Sequence, residues 1–146
     1  MPKHLSLKEL SRYNVGTWAD LIYRNALLYP DKEAFVYGDT RLTFADYNSR
    51  INKMIHGLGK MGVKKGDVIG VLSWSCLQFA EIYGTSMKGG FVASPFNPRL
   101  QANELEYIIN YSEASTLFVG PELFEVANSI RAVSYTHLTL PTILLV

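Results

Sequence analysis

Apolar residues recur at helical spacing in the first part of the chain, where they predict two amphipathic helices. The first helix begins after Thr17, a good N-cap, and ends before Pro30, since the residue before a proline avoids helical backbone. The second begins at Thr43 and ends near Gly62, a residue typical of helix C-termini. Its apolar stripe forms one continuous face: Phe44, Tyr47, Ile51, Met54, Ile55, Leu58 and Met61.

Shorter apolar runs predict strands. Residues 34–37 and 41–43 flank a Gly38-Asp39 turn and are typical of a β-hairpin. After Gly62, near-continuous apolar strands alternate with helices, with Pro95 expected to close the second of these strands. The predicted strands are 68–72, 91–94 and 116–119, and the predicted helices are 76–88, 102–111 and 121–131. This alternation indicates an α/β fold whose parallel strands are covered by helices on both faces.

Composition narrows the class of protein. Of 146 residues, 48% are hydrophobic and 18% are charged, which is typical of one globular domain rather than of disorder. The net charge of +1, without a basic cluster, argues against nucleic acid as a partner. Cys76 is the single cysteine, so the chain forms no internal disulfide. The first ten residues lack the apolar core of a signal peptide, and no apolar run is long enough for a transmembrane segment, so we expect a cytoplasmic protein.

Two glycine-rich stretches resemble nucleotide-binding motifs. Residues 57–62 match G-x-G-x-x-G, but they end a predicted helix, whereas a dinucleotide site requires the motif to open one. Residues 84–90 contain Gly, Thr, Ser and Lys88, yet they continue a helix instead of following a strand. We interpret both stretches as helix ends, with Gly89 and Gly90 as the exit of the second.

The remaining candidates imply no chemistry by themselves. Cys76 begins a helix beside apolar residues, and His56 has no acid or nucleophile near it in sequence. Asp39, Asp46 and Asp67 lie at predicted turns or caps, where carboxylates are common for local reasons. The residues therefore give no catalytic, cofactor-binding or metal-binding assignment.

The last segment, residues 133–146, differs from the rest of the chain. It contains no Asp, Glu, Lys or Arg, and it is similar to a peptide produced when sequencing-adapter DNA is translated at the end of an assembled read. The alternative is a genuine strand at 143–146. We expect residues 1–132 to belong to one domain and residues 133–146 to be a non-native tail.

An ordered set of short motifs covers roughly residues 14–131 and resembles the opening of the AMP-forming acyl-CoA synthetases, within the adenylate-forming superfamily. Each piece is generic, but their order and spacing are specific. The motifs are Pro30 to Ala34, Tyr37-Gly38-Asp39, Leu42 to Asn48, Gly62 to Val68, Lys88, Gly90, Pro95 to Leu100, Glu104 to Ile109 and Leu117-Phe118-Val119.

The resemblance implies an incomplete N-terminal part of the large domain of an acid–thiol ligase. Such an enzyme uses ATP with Mg²⁺ to activate a carboxylic acid, here a fatty acid, and then transfers the acyl group to coenzyme A. The phosphate loop, the Thr-Glu motif, the ribose-binding Asp and the catalytic Lys of the family all lie beyond the stretch represented here. We therefore expect the fragment to bind no cofactor and to be inactive. The turn at 97–100 is the best local candidate for proximity to a substrate pocket, because it follows a strand at its carboxyl end.

Two other functions remain open. The first is a different adenylating enzyme, such as an aryl-acid ligase, a luciferase-like ligase or a peptide-synthetase adenylation domain, since the regions that select the acid lie downstream. The second is a self-contained α/β binding module.

Overall fold

The computed structural model describes residues 15–131, and its first element is helix α1, Trp18–Leu28. Thr17 and Asp20 form a complete capping box. The Asp20 amide donates to Thr17 Oγ1 at 3.2 Å, and the Thr17 amide donates to the Asp20 carboxylate at 3.0 Å. These bonds satisfy amides that have no partner inside the helix, so the start of α1 is fixed locally.

The predicted hairpin follows α1 and leads directly into α2. Strand β1, Glu33–Tyr37, pairs antiparallel with β2, Thr40–Thr43. Gly38 in the turn has a φ of 56°, a left-handed conformation that glycine adopts without strain. Helix α2, Phe44–Lys60, is capped by Thr43, whose hydroxyl accepts from the Asp46 amide at 3.1 Å.

Residues 68–131 contain a three-stranded parallel sheet, as predicted. The strands are β3 (Val68–Leu72), β4 (Val92–Phe96) and β5 (Thr116–Val119), and their order is β4-β3-β5. The connecting helices are α3 (Leu77–Gly89) and α4 (Ala102–Tyr111), and α5 (Phe124–Arg131) follows β5. Strand β3, the first of the three along the chain, therefore lies in the centre.

Each face of the sheet packs against a different set of helices. Ile69, Val71 and Phe118 point to the face covered by α2 and α3, where they meet Leu58 and Ile82. Leu72, Leu117 and Val119 point to the opposite face and contact residues of α4 and α5, including Leu105, Ile109, Ala127 and Ile130. Burial on both faces explains the near-continuous apolar composition of these strands.

A third apolar cluster joins the hairpin to the helices. Ile22 of α1, Leu42 of β2 and Leu77 of α3 meet Tyr47 and Ile51 of α2. Helix α3 therefore has apolar partners on two sides, the sheet on one and the α1–hairpin–α2 unit on the other. This double packing explains why it is apolar around much of its circumference.

Two predicted boundaries are wrong. Pro95 does not close β4 but lies inside it, opposite Val71. In the order β4-β3-β5, strand β4 lies at the edge. A proline is tolerated in an edge strand where the backbone nitrogen faces away from the neighbouring strand, because no hydrogen bond of the sheet is lost there. Pro95 is also exposed. The helix predicted at 121–131 is divided: Pro121–Leu123 is a 3-10 turn, and α5 begins at Phe124.

Candidate functional site

The three parallel strands end together at one edge of the sheet, and their connections diverge there. The connection from β3 leads to α3 on one face, whereas those from β4 and β5 lead to α4 and α5 on the other. Open α/β sheets bind ligands in the crevice that such a divergence creates. This carboxyl edge is the candidate site.

The ends of β3 and β5 are in close contact. The Gly120 amide donates to the Leu72 carbonyl at 2.8 Å, and a Cβ at Gly120 would lie 2.8 Å from Ser73 Oγ. Ser73 is buried and donates to the Trp74 carbonyl at 2.9 Å. A side chain at position 120 would force Ser73 to move, so the close approach of the two connections favours glycine there.

The connection after β4 contains the predicted turn. Asn97 Oδ1 accepts from the Arg99 amide at 3.0 Å, and the Asn97 carbonyl accepts from the Leu100 amide at 3.2 Å. Arg99 extends back to the β3 connection, where its guanidinium carbon lies 5.7 Å from the centre of the Trp74 ring. The prediction that residues 97–100 lie at the carboxyl end of a strand is therefore confirmed, with Trp74 as their neighbour.

A small polar cavity of about 180 Å³ lies at the same edge, between the β3 and β5 connections. Ser73, Trp74, Cys76 and Glu122 are among its lining residues, and Tyr37 of the hairpin closes one side. Cys76 is the N-cap of α3, and its Sγ lies 3.8 Å from Ser73 Oγ. The N-terminus of α3 therefore faces this edge of the sheet and gives the edge a partial positive charge.

Both glycine-rich stretches are helix ends, as interpreted from their order. Residues 57–60 form the last turn of α2, with Gly62 beyond it at a φ of 90°. Residues 84–89 belong to α3, and Gly90 ends it at a φ of 75°. Lys88 donates to Asn48 Oδ1 of α2, and burial lowers the pKa of its ammonium group. Lys88 therefore links two helices instead of facing a phosphate.

A buried carboxylate between α2 and α3 was not identified from the sequence. Glu81 is only 3% exposed, and its carboxylate contacts Arg50 Nε. Tyr47 donates to the Ala80 carbonyl at 2.8 Å. Burial, together with the negative charge of Glu81, raises the pKa of Tyr47 to about 12. A buried acid in an apolar helix has no sequence signal of its own, because its partner lies 31 positions earlier on another helix.

Within residues 15–131, no three His, Cys, Asp or Glu side chains come together as metal ligands would. The helices of this same stretch include none with the length and hydropathy required to cross a bilayer.

Comparison with known proteins agrees with this architecture. The sequence model of the family described as AMP-binding enzyme matches residues 22–144. The long-chain-fatty-acid–CoA ligase FadD13 of Mycobacterium tuberculosis (strain H37Rv) is 31% identical over 121 residues, covering 82% of this chain and 24% of that ligase. A linear gramicidin synthase polypeptide of Brevibacillus parabrevis is 33% identical over 104 residues, covering 70% of this chain and 1% of that polypeptide.

The fold is also similar to that of a solved structure of the same family. The crystal structure of the N-terminal domain of FACL13 from Mycobacterium tuberculosis superposes with a TM-score of 0.79 at 27% identity, covering 85% of this chain and 33% of that one. The chain spans about a fifth to a quarter of the length of the curated acyl-CoA ligases that it matches. By its family match and its parallel α/β fold, the chain belongs to the AMP-binding enzymes and is similar to the N-terminal domain of their acyl-CoA ligases.

Proposed function

We propose that this chain is part of an AMP-forming ligase that activates a fatty acid with ATP and transfers the acyl group to coenzyme A. The observation that carries the proposal is the family match over residues 22–144, supported by the similarity to FadD13. ATP and coenzyme A as substrates also favour a cytoplasmic location.

In the proposed reaction, a carboxylate oxygen attacks the α-phosphorus of ATP, the bond to the β-phosphate oxygen breaks, and pyrophosphate leaves. The coenzyme A thiol then attacks the carbonyl carbon of the acyl-adenylate, a thioester forms and AMP leaves. Both steps develop negative charge on phosphate oxygens, which a ligase must stabilise with cations and amide groups. Mg²⁺ has no ligand set among residues 15–131, so we assign it no residues in this stretch.

Residues 15–131 contribute side chains that line part of the site, and not the catalytic groups. Arg99 and Trp74 lie at the carboxyl edge of the sheet, where the guanidinium is exposed beside an aromatic face. ATP and coenzyme A are polyanions, and arginine is well suited to bind phosphate. We infer that Arg99 contacts an anionic part of one of these substrates.

A test requires the complete reading frame, recovered from the genomic locus and expressed as one protein. We expect acid-dependent exchange of pyrophosphate into ATP, and thioester formation with coenzyme A, that are fastest with long-chain fatty acids. Arg99→Ala is expected to raise the KM of ATP or coenzyme A about tenfold or more, with Arg41→Ala in the hairpin as the matched control. Absence of any exchange with a broad panel of acids would refute the proposal.

One observation favours a second candidate, a peptide-synthetase adenylation domain. The sequence identity to the linear gramicidin synthase polypeptide is as high as that to FadD13, although over a shorter aligned stretch. The same assay separates the two functions. An adenylation domain would catalyse exchange of pyrophosphate into ATP that depends on an amino acid, and would form no free coenzyme A thioester.

A further inference from the structure

A cavity of about 370 Å³ lies between α1, the hairpin, α2 and α3, away from the carboxyl edge of the sheet. Ile22 and Tyr47 form its buried floor, while Trp18 and Phe35 lie at its more exposed rim. Because Trp18 is 66% exposed at the rim, the space is open to solvent, and a ligand can enter it from the surface.

The wall of this cavity is apolar and, among the described residues that form it, carries no charged side chain. The Tyr47 hydroxyl already donates to the Ala80 carbonyl, so it is committed to the protein. The Asn25 side chain is a further polar group on the wall. Such a surface offers no compensation for the desolvation of an ion, and a charged ligand would lose its hydration there without a partner.

The elements around the cavity are held in place by their own contacts, one of which includes Tyr47 of the cavity floor. The Thr17–Asp20 capping box fixes the start of α1. Helices α2 and α3 are in contact at Gly84, where a Cβ would overlap the side chains of Tyr47 and Ile51. One turn earlier on α3, Ala80 contributes only a methyl group to the wall. The space therefore results from a small side chain on a close-packed frame, and a preformed cavity costs a ligand little to enter.

We propose that this cavity binds a small, uncharged and mainly apolar molecule, about the size of two fused aromatic rings. Pockets of roughly 300–1,000 Å³ are the usual size of small-molecule sites. The volume here lies at the lower end of that range. Its ligand class differs from the acid, ATP and coenzyme A of the proposed function, so the site does not depend on that function.

A matched pair of probes tests the proposal on the chain itself at pH 7. The probes are 2-naphthol, which is neutral, and 2-naphthoate, which has the same rings and a negative charge. We expect 2-naphthol to bind saturably, one molecule per chain, with a Kd at least tenfold lower than that of 2-naphthoate. In methyl spectra of the labelled wild-type chain, the shifts should be confined to residues of the cavity wall, among them Leu21, Ile22 and Met87. Equal affinities, or shifts spread over the molecule, would overturn the proposal.

Variants localise the site independently. Ala80→Phe should fill the cavity and weaken 2-naphthol binding at least tenfold, whereas Ala102→Phe, at an exposed position on α4, should leave it unchanged. Circular dichroism tests whether each variant is folded. If Ala80→Phe is unfolded, the methyl shifts of the wild-type chain decide whether 2-naphthol binds in the cavity. Methyl shifts that depend on protein concentration without any probe would show that a second copy of the chain fills the cavity, which would also refute the proposal.

Discussion

Gly84 in α3 and Tyr47 in α2 are in direct contact, and the contact leaves no space for a side chain at position 84. A Cβ added there would overlap the Tyr47 hydroxyl and the end of Ile51. The Tyr47 hydroxyl is itself fixed by its bond to the Ala80 carbonyl, one turn before Gly84 on the same helix. Helices α2 and α3 can therefore approach this closely because position 84 is glycine.

The first prediction is that Gly84→Ala destabilises the chain. Alanine favours a helix over glycine by about 1 kcal/mol, but overpacking a close contact costs typically about 1–3 kcal/mol. We expect a net loss of up to about 2 kcal/mol in the free energy of unfolding, measured by urea denaturation.

Gly57→Ala in α2 is the matched control. A Cβ at Gly57 has no neighbour within 4 Å, so helix propensity should act alone and stabilise the chain by up to about 1 kcal/mol. A stabilising Gly84→Ala would show that α2 and α3 can separate without cost.

These glycines show where prediction from sequence succeeds and where it fails. Hydrophobic periodicity identified α2, α3 and the three parallel strands because each buries a regular set of apolar side chains against the others. It gave no reason to distinguish Gly84 from Gly57, since both lie in helices and their difference comes from another helix. The same limit applies to Glu81 with Arg50 and to Trp74 with Arg99, pairs that only the tertiary fold brings together. Pro95 misled the prediction because its effect depends on whether a strand lies at the edge of the sheet.

The second prediction concerns the buried Tyr47 hydroxyl. Tyr47→Phe removes its hydrogen bond to the Ala80 carbonyl and should cost about 1 kcal/mol. The substitution should also change how stability depends on pH. A tyrosine in the unfolded chain has a pKa of about 10, whereas that of Tyr47 in the folded chain is raised to about 12.

The sign of this pH dependence follows from the order in which the two states lose the proton. Below pH 10 the stabilising effect is complete, and it is lost as the pH rises from about 10 to about 12, because the unfolded chain deprotonates first. Lys88 acts in the opposite direction, since its lowered pKa makes the folded chain the first to lose that proton. Denaturation of Tyr47→Phe across this range retains the lysine effect, so its difference from wild type isolates Tyr47. Parallel pH profiles for the two proteins would contradict the prediction.

The third prediction tests the cap of α1. Thr17→Ala removes the acceptor for the Asp20 amide and should destabilise the chain by about 1 kcal/mol. Thr17→Ser keeps the hydroxyl and should be close to wild type. Thermal melts of the three proteins decide the matter, and equal losses for alanine and serine would exclude capping as the cause.

The fourth prediction is that the chain, as its sequence stands, is catalytically inactive. The resemblance to AMP-forming acyl-CoA synthetases places the phosphate-binding and cationic groups of catalysis beyond this stretch. Incubation with ATP, Mg²⁺ and a panel of carboxylic acids should release no more pyrophosphate than a control without protein. Acid-dependent release that follows the chain through two purification steps would refute it.

The fifth prediction concerns residues 133–146, which lie outside the residues that the structure describes. If this apolar segment is a non-native tail, its deletion should leave the melting temperature within about one or two degrees of wild type, an expected ΔΔG well below 1 kcal/mol. A loss of several degrees would indicate a native strand instead.

The order β4-β3-β5 also determines how the sheet assembles during synthesis. The central strand leaves the ribosome first and has no partner until a whole helix and β4 have followed. It gains its second partner only after a further helix, when β5 is made. Pairing contacts that close such long loops form slowly, whereas α1, the hairpin and α2 close over short separations. We therefore expect the unit of α1, the hairpin and α2 to fold first, which places Leu58 of α2 ready to cover the face of β3 formed by Ile69 and Val71.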